Sequence, residues 1–212
     1  MQRLLSFLLL TFAALALLAC SETAPDKPAQ PNLLDIQRLL PGEYVGQMSR
    51  GDVYHKVAKL EVPAFGGTVF YHHISLVSAG GPALQRKVYH FDDSGARMKS
   101  TVLLGTGDVF TDSDAMAETL ENMPEDKLLR FPDACQITWS VEADAFVGQV
   151  FREKCSYQSV AFGGIVSPEM TYRLTACAFA IDEGIYRENG EPAFPPSSAV
   201  NTRQGTADCR PA

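Results

Sequence analysis

The chain has no cluster of basic residues. Its 18 Lys and Arg stand against 25 Asp and Glu, a formal net charge of −7. The electrostatic attraction that supplies non-specific nucleic-acid affinity is therefore missing, and anionic headgroups would repel the body weakly. Nucleic acid is not expected as a partner. Catalytic signatures are missing too: there is no G-x-S-x-G elbow, no H-E-x-x-H, no phosphate-cradling loop and no C-x-x-C. Gly105 and Gly107 make only a G-x-G fragment. Without a C-x2-C pair a cysteine-held zinc is disfavoured. Asp112 and Asp114 lack the glycine and distant glutamate of an EF-hand loop. No metal is expected and no cofactor is required.

What the chain has in plenty, it has first. Arg3 precedes an almost unbroken apolar run from Leu4 to Leu18, and Leu17-Leu18-Ala19-Cys20 resembles a bacterial lipobox. Residues 1–19 read as a lipoprotein signal peptide, with Cys20 the first mature residue and the acylated (palmitate-bearing) one. Each buried methylene of an acyl chain is worth about 0.8 kcal/mol, so two or three chains give a stable anchor where one would not. Ser21 rather than Asp follows Cys20, which favours the outer membrane, facing the periplasm. The rest of residues 20–31, with three prolines and nothing to bury, is a tether able to hold a body about 30 Å from the bilayer. Residues 32–212 have the length of one domain.

Beyond Cys20, the cysteines are Cys135, Cys155, Cys177 and Cys209, an even number in a compartment that permits disulfides. Three pairings exist. Cys135 with Cys155 and Cys177 with Cys209 is preferred, because the first pair flanks what looks like one hairpin and the second would pin the C-terminal tail to the sheet.

Leu33, Ile36 and Leu40 share one helical face before Pro41-Gly42, a short lid or plug helix. The pattern then changes to period two. Val53 to Val62, Thr68 to Val77, Arg86 to Phe91, Arg97 to Leu104, Ile137 to Val150 around a turn at Glu142-Ala143-Asp144, and Met170 to Ala176 are strand candidates. Thr111 to Met123 is the exception, a helix capped by Asp112 or Ser113 with Met116, Leu120 and Met123 on one side. The expected fold is mainly β, an antiparallel calycin/lipocalin-like barrel with a short N-terminal helix and one additional helix.

His55, His72, His73 and His90 fall in strands. His72 and His73 are adjacent, so at most one faces inward. Phe70, His72, Ile74 and Leu76 share one face of their strand and Val69, Tyr71, His73 and Ser75 the other, so neither is plainly core or plainly solvent. Such a strand suits a barrel wall lining a partly polar cavity, or equally a strand half covered by helices.

Cys135-x-Ile137-x-Trp139, then Phe146-x-Gly148 and Cys155, preceded by Lys127-Leu128-Leu129, resembles a run found in the CpcT/CpeT chromophore lyases. Leu39 to Gln47, reading LLPGEYVGQ, is similar to that family's opening segment, and Gln85-Arg86-Lys87-Val88-Tyr89 to its arginine-rich strand. The resemblance spans Leu33 to Tyr172. It implies a barrel that holds an open-chain tetrapyrrole (bilin) and helps attach it through a thioether to a phycobiliprotein cysteine. The acceptor thiol belongs to the partner, so the resemblance implies no nucleophile on this chain. The chain departs from the family at His72-His73 and in its tail from Glu183 to Arg210. An exported lipoprotein also does not meet phycobiliproteins assembled in the cytosol, which leaves lyase activity open and catalytic residues unassigned.

Tyr44, Gln47, Tyr71, His72, Arg86, Tyr89 and Trp139 are the candidate lining of a cavity for a small amphipathic ligand, with Arg86 a partner for a carboxylate. The alternative is a structural or interaction lipoprotein with a filled barrel and envelope protein partners.

Overall fold

The computed structural model describes residues 32–48, 51–76, 78–105, 110, 112–207 and 209; the leader, Cys20 and the tether lie outside them. Alternation of apolar and polar residues turns most of this chain into strands. They are β1 (Gly42–Met48), β2 (Gly51–Val62), β3 (Gly67–Ser75), β4 (Ala83–Phe91), β5 (Arg97–Leu103), β6 (Leu128–Arg130), β7 (Ile137–Glu142), β8 (Ala145–Val150), β9 (Tyr157–Ser159), β10 (Gly164–Leu174), β11 (Ala178–Arg187) and β12 (Pro192–Arg203). Helices α1 (Ile36–Leu39) and α2 (Ser113–Glu121) are short.

Ten of the strands close into an antiparallel barrel in the order β11-β12-β1-β2-β3-β4-β5-β7-β8-β10, with β10 pairing back onto β11. Closure leaves each of these strands with a neighbour on both sides, which removes the exposed edges of an open sheet. β6 adds to β5 and β9 to β10 outside the ring.

The inner face of each strand supplies a core in one half of the barrel. Tyr44, Phe70, Tyr89, Phe91, Trp139, Phe146, Tyr172 and Phe179 meet there. α1 closes that end, with Ile36 and Leu40 fully buried, as their helical spacing predicts. Burying two such side chains is worth about 1.5–3 kcal/mol each. On the outer face of β2 to β5, α2 covers a second apolar cluster of Leu60, Val69, Tyr71, Val88, Met116 and Leu120. Asp112 caps α2, its Oδ1 accepting from the Ala115 N–H at 2.8 Å. The mixed faces of β3 follow directly: Phe70, His72 and Ile74 point into the barrel, while Val69 and Tyr71 lie under α2.

The segment carrying the family resemblance assembles as a unit. Trp139 on β7 pairs with Gly148 on β8, and a Cβ on Gly148 would lie 2.8 Å from the indole, so the glycine makes room for the tryptophan. Cys135 and Cys155 join beside this hairpin, and Cys177 joins Cys209 across the last one. Both preferred pairings are present.

The sequence alone does not suggest β12, because Pro192, Pro195 and Pro196 break the pattern. Along that stretch β12 pairs only with β11; its pairing with β1 is confined to Thr202 and Arg203. Proline lacks a donor, and a one-sided strand has no need of it there.

Candidate ligand-binding cavity

The other half of the barrel, away from α1, is not filled. It holds a cavity of about 630 Å³. Its walls are apolar, from Val53, Ile74, Val102, Ile137, Met170 and Ile181, and its rim carries Leu84 and Leu129, 62% and 37% exposed. Gln85, Ser100 and Ser197 also line it, and close to the filled half His55 from β2, Lys87 from β4 and Glu183 from β11 make a polar corner. Lys87 Nζ stands 3.8 Å from Glu183 Oε2, an ion pair largely withdrawn from water on the lysine side.

Behind His55 runs a buried chain of hydrogen bonds. His55 Nδ1 lies 2.9 Å from His72 Nε2, and His72 Nδ1 lies 3.0 Å from the Tyr89 hydroxyl. Burial and the nearby Lys87 charge push the His55 pKa down to about 4. Burial, then the neighbouring His55, pushes His72 well below its usual range, and burial raises Tyr89. Both imidazoles are neutral at pH 7 and each carries one proton.

The direction of the chain then follows from Tyr89. Its hydroxyl is fully buried, and among the described residues its hydrogen-bond partner is His72 Nδ1. If His72 donated from Nδ1, the phenolic O–H would be left without an acceptor, at a cost of about 1–3 kcal/mol. Tyr89 therefore donates to His72 Nδ1, His72 Nε2–H donates to His55 Nδ1, and the remaining proton of His55 sits on Nε2. Among the described residues His55 Nε2 has no protein partner. The cavity is thus offered a neutral N–H donor beside a compensated ion pair.

The candidate residues read from sequence fall elsewhere. Tyr44 lies in the plugged half, its hydroxyl donating to the Leu40 carbonyl at 2.8 Å, and burial pushes its pKa up to about 12. Trp139 packs between Phe91 and Tyr172 in the same half. Gln47 is exposed and borders a separate depression with Asp52 and Arg203. Tyr71 and Arg86 face outward, Tyr71 stacked on Phe110 and Arg86 donating to the Gly105 carbonyl at 3.4 Å. His72 and Tyr89 stand behind the cavity wall in the hydrogen-bonded chain. Tyr71 and His72 are adjacent, and Arg86 and Tyr89 are an odd number of residues apart, so in flat strands neither pair can share a face.

His55, Lys87 and Glu183 are not among the candidate lining residues of the sequence. The first two are within reach of it: Lys87 shares the face of Tyr89, and His55 that of Val57. Glu183 is out of reach, because Pro192, Pro195 and Pro196 hide the final hairpin from the sequence pattern. His73, on the outer face, bonds the Gly81 carbonyl through Nε2 at 2.7 Å, so His72 and His73 do point to opposite sides.

Compared with protein-family models and with curated proteins, the chain finds no match.

Proposed function

We propose that this chain is an exported lipoprotein, acylated at Cys20 and held at the outer membrane facing the periplasm, whose barrel binds a small amphipathic ligand. The observation that carries the binding reading is the cavity of about 630 Å³ with apolar walls and one polar corner. Pockets for small molecules run to about 300–1,000 Å³ and share this composition. The resemblance to the CpcT/CpeT lyases favours an open-chain tetrapyrrole as the ligand. The proposal is of binding; lyase chemistry would further need an exported acceptor thiol.

Biliverdin titrated into the full chain tests it. Binding changes the visible absorbance of the pigment, with saturation on the order of micromolar. Ile181→Trp, which puts an indole into the cavity, abolishes the change, whereas Arg86→Ala, on the outer face, leaves it. Absence of any spectral change favours the structural lipoprotein with envelope protein partners.

A further inference from the structure

Within the cavity reading, on which this inference rests, the polar corner also selects the ligand's head. We propose that the cavity takes its ligand head first and prefers an uncharged head group that both accepts and donates hydrogen bonds, such as an amide, a glycerol ester or the terminal lactam of an open-chain tetrapyrrole with its propionates left in water at the rim, over a carboxylate or an ammonium of the same chain length.

Three features of the corner lead there. Lys87 and Glu183 form an ion pair within the protein, so the corner has no net charge left to neutralise an ionic head. A buried ionic head would lose its hydration without gaining a counter-ion of its own. His55 presents Nε2–H, a neutral donor whose tautomer is held by His72 and Tyr89, and this suits an acceptor oxygen. Glu183 reaches Lys87 at 3.8 Å through one carboxylate oxygen, which leaves it acceptor sites for a ligand N–H or O–H. The apolar remainder of the wall and the leucines of the rim receive the chain that follows the head.

The test is calorimetric titration of the full chain with octanamide, octanoate and octylammonium, which share a tail and differ in head charge. Octanamide is expected to bind about tenfold more tightly than either ion. Glu183→Gln leaves Lys87 uncompensated and should make octanoate the best of the three; Lys87→Met leaves Glu183 uncompensated and should favour octylammonium. Equal binding of the three probes by the unaltered protein overturns the head-group inference and leaves the cavity reading standing. Tighter binding of either ion by the unaltered protein does the same. Binding of none of them overturns the head-group inference alone where biliverdin still binds, and both readings where biliverdin does not bind either. The ranking on the unaltered protein decides the matter even where a variant fails to fold.

Discussion

A neutral imidazole held inside a barrel makes stability depend on pH, and the sign can be worked out for His55. Its pKa in the folded protein, about 4, lies below the ordinary 6.5. The unfolded chain therefore takes up a proton first as pH falls. Stability is full above about pH 6.5 and declines as pH drops toward 4, by about 3 kcal/mol from this residue. His72, shifted in the same direction, steepens the decline. Urea unfolding at a series of pH values checks this; a midpoint unchanged between pH 7 and 4.5 would mean that the pair is not buried and neutral. Tyr89→Phe gives a second check, because it removes the hydroxyl that sets the direction of the chain while keeping the ring. Nitrogen NMR should show His55 as the Nε2–H tautomer in the parent and as a mixture in the variant. His55, His72 and Tyr89 are each visible in the sequence, and strand parity separates His72 from His73 without deciding which of them faces inward. Their contact was not, because it depends on the register of β2 against β3 and of β3 against β4.

At the level of elements, the plug depends on a residue far from it in sequence. Arg203, near the end of β12, donates from Nη1 to the Pro41 carbonyl at 2.8 Å, and from Nη2 to the Leu39 carbonyl and, at 2.6 Å, to the Tyr44 hydroxyl. Its guanidinium also lies over the Tyr44 ring, 4.7 Å from the centroid. It thus satisfies carbonyls at the C-terminal end of α1, which a helix of four residues cannot satisfy itself. Arg203→Met should cost about 2–3 kcal/mol, since hydrogen bonds to a charged group are worth more than neutral ones and carbonyls are left unmet. Chemical denaturation measures the loss, and faster amide exchange at Ile36 to Leu40 places it at the plug. An unchanged exchange rate there would mean that apolar packing alone holds the helix. The apolar spacing of Leu33, Ile36 and Leu40 announces the plug, while the residue that fastens it comes from the other end of the chain.

For the whole molecule, the anchor and the barrel make separable claims. Cys20→Ser should leave the barrel folded, because its strands lie within residues 42–203 and both disulfides are made by other cysteines, and should release the protein from membranes or mislocalise it. Membrane fractionation with lipid labelling is the measurement. Unchanged fractionation and labelling would remove the anchor from the proposal and leave the cavity untouched.

Local chemistry was enough to determine the strand-rich fold, the capped helix and the plug, because alternation, helical spacing and capping act over a few neighbouring residues. The β7–β8 hairpin and its flanking cysteines were legible for the same reason. Only the tertiary structure decided which face of each strand looks inward, that the proline-bearing β12 closes the ring, and that one half of the barrel is packed while the other is hollow. Inward and outward faces exchange with a shift of one residue in register, and register is a relation between strands, which no single stretch of sequence contains. His55, Lys87 and Glu183, from three different strands, meet only once the ring has closed.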